Sequence, residues 1–182
     1  PQAELSFQAR LREQALDADA LGGLGIVRQR QGRLGDADAL FKQAISRGNS
    51  SRWQSALQGN RYWVLLDQAN AARDAGNPQD ARELLQRAIA MNPRQVQGPV
   101  SLADLQAAQG QFDSAETTYR QALSLDAGNP DALRGLVSVL AQNGKLSESQ
   151  RLIDGLSDAQ RQRLGDLRVL RAAIAVGQAK DA

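Results

Sequence analysis

The aromatic side chains of this sequence are concentrated in one stretch where they could bind a ligand. The run SSRWQSALQGNRYWVLLDQANAARDAG, residues 50–76, holds Trp53, Tyr62 and Trp63 beside Asn60 and Arg61, in a chain with only two tryptophans and two tyrosines. A flat ring can cover the apolar face of a sugar while Asn60 and Arg61 hydrogen-bond its hydroxyl groups. The alternative is that the aromatics bury against neighbouring helices, because large rings dominate packing energies. The sequence favours this second interpretation.

Other residues with chemical potential have structural explanations. The carboxylate pairs Asp17/Asp19 and Asp36/Asp38 stand at predicted helix starts, where acidic groups offset the helix dipole. The GGLG run at 22–25 lacks the strand and the Lys-Ser/Thr pair of a phosphate loop, so close helix approach explains it better. The chain has no histidine and no cysteine, which removes the common metal sites and nucleophile systems. We therefore predict no enzyme activity, no catalytic residue, no metal and no cofactor.

The charge pattern narrows the class of partner. The 22 Lys and Arg residues are interspersed with 20 Asp and Glu residues, for a formal net charge of +2. Mixed charge of this kind is typical of solvated helix faces, and a nucleic-acid partner would need a basic stripe. No apolar run approaches the ~20 residues that span a bilayer, and no signal peptide is visible. We expect no nucleic-acid partner, no membrane contact by this segment, and, since it begins with proline, an excised fragment.

Glycines mark an internal repeat in a composition that favours helix. Hydrophobic residues make up 42% of the chain, mostly Ala and Leu, which lose little rotamer freedom in a helix. Gly32, Gly76, Gly110 and Gly144 stand in matched contexts such as ARDAGNPQDARELLQRAI and QAAQGQFDSAETTYRQAL, at separations of 44, 34 and 34 residues. Thirty-four residues is the period of the tetratricopeptide repeat, a pair of antiparallel helices. The sequence therefore resembles that family.

The repeat phase assigns packing roles. Small residues recur where the two helices of a unit approach closely, at Gly25, Ala69, Ala103, Ala37, Ala81 and Ala115, and larger residues fill the space beside them, at Phe41, Leu85, Tyr119 and Ile153. Each turn glycine is expected to end its helix in a left-handed conformation. The predicted fold is an all-α, right-handed α-solenoid. Its predicted parts are a helix of a preceding repeat (1–17), repeat 1 (18–51), repeat 2 (52–95), repeat 3 (96–129), repeat 4 (130–157) and a capping helix (158–182), with Leu164, Leu167, Leu170 and Ile174 on its apolar face.

The 44-residue separation exceeds the period by ten residues, and the surplus is RWQSALQGNR, residues 52–61. No proline interrupts the run that follows, so one helix over 51–75 is the simplest structure. We expect this extension to act as a bend or hinge between repeats 1 and 2. The predicted junction residues are Trp53, Leu57, Asn60, Arg61 and Tyr62.

The same insertion resembles that of the bacterial cellulose synthase operon protein C family, in the pattern RWQSALQGNRYWVLLDQA, with further similarity at ALRGLVSVL and LSDAQRQRL. The resemblance implies a periplasmic scaffold and spacer ahead of an outer-membrane pore for cellulose. It implies partners among the proteins of the cellulose synthase and export complex, with the cellulose chain or peptidoglycan as further partners. Two alternatives stay open, a groove that guides the nascent glucan and a cytosolic peptide-binding adaptor.

Tetratricopeptide arrays usually bind partners on the concave face, which is lined by the first helix of each pair. By repeat phase this face comprises Asp19, Gly22, Gly23, Ile26, Arg30, Trp63, Leu66, Asp67, Asn70, Gln97, Val100, Ser101, Asp104, Asp131, Arg134, Gly135 and Ser138. Its polar members, Asp19, Arg30, Trp63, Asp67, Asn70, Gln97, Ser101, Asp104, Asp131, Arg134 and Ser138, are the predicted binding residues.

Overall fold

The fold is all-helical in the part of the chain that the computed structural model describes, residues 2–48 and 50–164. The helices are α1 (Gln2–Glu13), α2 (Ala18–Arg30), α3 (Leu34–Arg47), α4 (Ser50–Asp74), α5 (Pro78–Met91), α6 (Gln97–Ala108), α7 (Phe112–Leu125), α8 (Pro130–Gln142), α9 (Leu146–Asp154) and α10 (Asp158–Leu164). These described residues contain no strand. The all-α prediction is confirmed, and α4 matches the predicted long helix to within one residue at each end.

The chain divides into two compact units between Gln68 and Ala69. Unit 1 contains α1, α2, α3 and the larger part of α4, and unit 2 contains the end of α4 and the helices from α5 onward. None of the helices in the described ranges is long and apolar enough to cross a membrane.

The helix ends follow from local sequence. The four repeat glycines have positive φ angles between 71° and 78°, which residues with a Cβ adopt only at a cost. Asp17 caps α2, accepting a hydrogen bond from the Ala20 amide at 2.8 Å, and it also accepts one from Arg10 Nε at 2.7 Å. The Ala20 amide and then Arg10 hold the pKa of Asp17 below its ordinary value. The helix-start explanation therefore holds for Asp17.

Unit 1 is built around glycines of α2 that lie against aromatic rings. A methyl group added at Gly22 would lie 2.2 Å from the Trp53 ring, one at Gly23 would lie 2.4 Å from Phe7, and one at Gly25 would lie 2.7 Å from Phe41. The GGLG run was expected to allow close helix approach in general. The structure shows a more specific reason, since Gly22, Gly23 and Gly25 each leave room for one ring from α4, α1 or α3.

The rings of unit 1 also pack on one another. The Phe41 and Trp53 rings stack with centroids 6.2 Å apart and an interplanar angle of 18°. Leu57, one turn after Trp53 on α4, joins the same buried cluster, and Leu11 of α1 packs against it. As predicted, α1 packs onto the first repeat through Phe7 and Leu11.

Unit 2 packs its helices on their neighbours in chain order, as the helices of an α-solenoid do. Its main core lies among α6, α7 and α8 and includes Ala103, Ala115 and Tyr119. The predicted small and large positions of the later repeats are buried, namely Ala81, Leu85, Ala103, Ala115, Tyr119 and Ile153.

The last helix of the described region, α10, packs onto α8. Its Leu164 is buried with Leu133 and Leu156. The predicted apolar positions Leu167, Leu170 and Ile174 lie outside the described residues, so the cap over 158–182 stays a prediction beyond Leu164.

Candidate functional site

Most of the aromatic stretch that could have bound a sugar lies in the interior. Trp53 and Tyr62 are each 1% exposed, and Asn60 is fully buried. The Asn60 side-chain amide donates a hydrogen bond to the Leu34 carbonyl at 2.9 Å, which ties α4 to the start of α3. A ligand in solvent cannot reach these three side chains, so the ring-stacking role with Asn60 as hydroxyl partner is wrong for Trp53 and Tyr62. Trp63 differs, because 39% of it is exposed.

The ten extra residues contribute side chains to the core of unit 1. Trp53 and Leu57 are buried in it, and the Arg52 guanidinium lies over the Trp53 ring at 4.5 Å from its centroid. Arg52 also lies 3.7 Å from the carboxylate of Asp19 on α2. Arg61 is exposed. Removing residues 52–61 would therefore take away core side chains, and the hinge role of this segment stays a prediction.

The predicted concave-face residues divide by burial. Asp19, Arg30, Trp63, Asp67, Asn70, Asp104, Asp131 and Arg134 are exposed, and Gln97, Ser101 and Ser138 are half-buried. Gly22, Gly23, Leu66 and Val100, which the repeat phase placed on the same face, are buried. The phase identifies a stripe along each helix, and part of that stripe packs against other side chains.

Unit 2 brings together polar side chains of α6 and α8, which contact each other. Asp131 lies 3.0 Å from Arg134 on α8. The charge of Asp131 raises the pKa of Asp104 on α6, and the charge of Arg73, at the end of α4, lowers it. We call the surface formed by Ser101, Asp104, Asp131, Arg134 and Ser138 the inner face of unit 2.

Tyr119 supports the inner face from behind. It lies on α7 and is 2% exposed, and its hydroxyl donates a hydrogen bond to the carboxylate of Asp104. Its ring lies against Gly135 of α8, where an added methyl group would be 2.2 Å from Cζ. The sequence assigned Tyr119 only to packing. The available signal was that a buried tyrosine hydroxyl usually has a hydrogen-bond partner.

Burial alters the acidity of this pair. Asp104 is an exposed residue, but its carboxylate is partly buried against Tyr119. This partial burial is the largest cause that raises the pKa of Asp104, and the hydrogen bond from Tyr119 partly opposes it. Burial, and then the Asp104 carboxylate, raise the pKa of Tyr119 far above its ordinary value. Tyr119 therefore stays protonated and remains a hydrogen-bond donor to Asp104.

We expect Asp104→Asn to stabilise unit 2 near neutral pH by no more than about 1 kcal/mol, since Asp104 lies at the surface and solvent screens much of the effect. Asparagine keeps an oxygen to accept from Tyr119 and removes a charge that burial disfavours. The pKa of Asp104 is raised in the folded state above its ordinary value of 3.8. Its contribution to the free energy of unfolding is therefore fully present below pH 3.8 and is lost as the pH rises through the raised pKa. Urea unfolding at neutral pH and at about pH 3 should show the advantage of asparagine only at neutral pH. An equal difference at both pH values would contradict the raised pKa.

The acidic residues of the described ranges do not assemble a metal site. In residues 2–48 and 50–164, no three acidic side chains come close enough together to hold a metal ion. The inner face of unit 2 can offer hydrogen bonds and charges of both signs to a partner.

One family model matches more than half of the chain. A family model described as "Tetratricopeptide repeat" matches residues 72–120 and 107–174. Two solved structures share the fold with TM-scores of 0.57. The second TPR domain of the human RPAP3 protein, in complex with an HSP70 peptide, is 18% identical and covers 66% of this chain and 98% of that chain. The TPR2AB domain of yeast Sti1, in a complex with pHSP90, is 11% identical and covers 93% of this chain and 74% of that chain.

Curated relatives carry one recurring name, cellulose synthase operon protein C. The protein from Pseudomonas fluorescens (strain SBW25) is 44% identical over 159 residues, 87% of this chain. The protein from Xanthomonas axonopodis pv. citri (strain 306) is 42% identical over 178 residues, 98% of this chain. The chain spans 12% of the length of each of these two relatives.

Proposed function

Because this chain belongs to the tetratricopeptide-repeat family, we propose that it is a non-enzymatic scaffold segment of a bacterial cellulose export protein. In this role it binds other proteins of the cellulose synthase complex and acts as a spacer in the periplasm, ahead of an outer-membrane pore. The observation that carries the proposal is the 42–44% identity to cellulose synthase operon protein C over 87–98% of the chain. Since the chain spans only 12% of those relatives, their activity and partners are proposed here for the parent protein.

The inner face of unit 2 is the proposed protein-binding surface. Its exposed Asp104, Asp131 and Arg134 offer both signs of charge, which suits a polypeptide segment with backbone and charged groups to pair. Tyr119 holds Asp104 from behind, so one polar group of the surface is positioned before a partner arrives. Preorganised groups lose less conformational freedom on binding. The RPAP3 relative of this fold binds an HSP70 peptide, which supports the same type of partner for this chain.

Site-specific photo-cross-linking in living cells tests the proposal. A photoreactive amino acid replaces Ser101 or Ser138 of the inner face, within the full-length parent protein. The matched controls replace Ser124 of α7 or Ser147 of α9, which are exposed serines of the same unit on the other helices. We expect the inner-face positions to cross-link a second protein encoded in the cellulose synthase operon, with a yield several times that of the controls.

Two results would contradict the proposed function. Equal yields at all four serines would show that the inner face is no preferred contact. Cross-links to cytoplasmic proteins alone would favour the adaptor alternative and remove the periplasmic location.

A further inference from the structure

Trp63 is a large aromatic side chain that unit 1 leaves at its surface. It is 39% exposed, whereas Trp53 and Tyr62 on the same helix are 1% exposed. The Tyr62 ring meets the indole edge to face, with centroids 5.3 Å apart and an interplanar angle of 84°. An exposed indole held by a buried ring has little freedom to lose when it binds a ligand.

The helix surface beside Trp63 has small residues and open space at Gly59. Residues 52, 56, 59, 63 and 67 follow at spacings of three and four, so they lie on one face of α4. Side chains in a helix lean toward its N-terminus, which directs Trp63 toward the turn of Gly59. A methyl group added at Gly59 would meet no atom within 4 Å, and the next residue of the stripe is Ala56. The ring is therefore bordered by a low step at half-buried Gly59 and Ala56, with open space above Gly59.

Polar groups stand at both ends of this step. Asp67 is exposed one turn beyond Trp63. Arg52, which contacts Asp19, lies on the other side, eleven residues before Trp63. At about 1.5 Å per residue this places Arg52 about 16 Å from Trp63 along the helix axis. We call Arg52, Ala56, Gly59, Trp63 and Asp67 the Trp63 face. Arg52 and Asp67 carry opposite charges, so the Trp63 face has no formal net charge.

We propose that the Trp63 face binds an extended, uncharged β-linked glucan, an inference that rests on the proposed function in cellulose export. A glucose ring in such a chain has a flat apolar face and a rim of hydroxyl groups. The indole of Trp63 covers the flat face, the step at Gly59 admits the neighbouring sugar, and Asp67 and Arg52 accept from and donate to the hydroxyl rim. A surface with little net charge suits this neutral ligand, whereas a charged partner would favour a face with an excess of one sign.

The test uses the 182-residue chain and cellohexaose as the probe. The two indole N–H signals in a proton–nitrogen correlation spectrum report Trp53 and Trp63 separately, and Trp63→Phe identifies which signal belongs to Trp63. We expect cellohexaose to shift the Trp63 signal saturably and to leave the signal of buried Trp53 in place. Trp63→Ala should weaken binding at least tenfold, and Gly59→Leu should also weaken it by filling the step.

A matched control tests whether the loss of binding is specific to the Trp63 face. Leu125 of unit 2 is, like Trp63, 39% exposed, and Leu125→Ala should leave the affinity for cellohexaose unchanged. Circular dichroism of both alanine variants checks that the fold is retained, as expected for exposed positions. Maltohexaose, which has the same sugar with α linkages, should bind at least tenfold more weakly because it does not present an extended flat chain.

Several outcomes would overturn the glucan site. These are no saturable shift of the Trp63 signal, binding that survives Trp63→Ala, or equal binding of maltohexaose. A peptide that shifts the Trp63 signal when cellohexaose does not would assign the Trp63 face to a protein partner. If cellohexaose does not bind but the serine cross-links form, only the glucan site is wrong and the scaffold function stands. If cellohexaose binds but the cross-links do not form, only the proposed protein contact is wrong.

Discussion

Gly22→Ala is expected to destabilise unit 1 by about 3 kcal/mol, the upper part of the usual range for overpacking a core. The added methyl carbon would lie 2.2–2.4 Å from three atoms of the Trp53 ring. That ring is stacked on Phe41 and nearly fully buried, so moving it away from the methyl group would disturb other core side chains. Both tryptophans lie in unit 1, and urea unfolding followed by tryptophan fluorescence therefore reports this unit.

Gly35→Ala is the matched control for this prediction. Gly35 also lies in a helix of unit 1, but a methyl group there meets no atom within 4 Å. Alanine at this position should stabilise the helix by about 0.5–1 kcal/mol, because glycine loses more backbone freedom on folding. In a Trp53→Leu background the cost of Gly22→Ala should fall by more than about 1 kcal/mol, the signature of two residues in contact. If Gly22→Ala costs the same with and without the Trp53 ring, the proposed fit between them is wrong.

Gly135→Ala is expected to destabilise unit 2 by about 2–3 kcal/mol and to weaken partner cross-linking at Ser101 and Ser138. The added methyl would lie within 2.5 Å of three atoms of the Tyr119 ring and hydroxyl. The ring must shift, and the shift breaks the hydrogen bond to Asp104 that orients the inner face. Hydrogen exchange of the α6, α7 and α8 amides measures the stability of this unit without a tryptophan probe.

Two variants separate the steric effect from the loss of the hydrogen bond. Tyr119→Phe keeps the ring and removes the hydroxyl, and it should cost about 1 kcal/mol, the usual net value of one hydrogen bond. Tyr119→Leu shortens the side chain and should reduce the further cost of Gly135→Ala. Full protection of the α6–α8 amides in Gly135→Ala would show that the chain relaxes around the methyl group.

The fits of Gly23 with Phe7 and of Gly135 with Tyr119 occupy the same place in the repeat. Gly23 and Gly135 are 112 residues apart, as are Phe7 and Tyr119, so the spacing between the two fits equals that between the first and last repeat glycines, Gly32 and Gly144. That residues 1–17 are a helix of a preceding repeat stays a prediction, in which Phe7 and Tyr119 take equivalent positions. In the two middle repeats the equivalent positions are Asp67 and Ser101 instead of glycine. The repeat phase alone does not show which aromatic ring, if any, packs against them.

The concave-face prediction shows how far the repeat phase can separate surface residues from core residues. Repeat phase identified Asp104, Asp131 and Arg134 correctly as surface residues, because surface and core alternate with the helical period. It also placed Val100 on that surface, although Val100 packs in the core of unit 2. The edge of a buried stripe depends on how closely the next helix packs, which no single helix specifies.

The sequence by itself determined the helices, their glycine turns and the 34-residue period, since backbone conformation and the spacing of small and large residues are local properties. It also determined that ten added residues lengthen one helix. Only the tertiary structure decided that Trp53 and Tyr62 are buried while Trp63 is exposed, and that Tyr119 reaches Asp104. The physical reason is that all of these aromatic side chains are suited to burial. Which of them is buried depends on the space left by neighbouring helices, such as the space at Gly22 that the Trp53 ring fills.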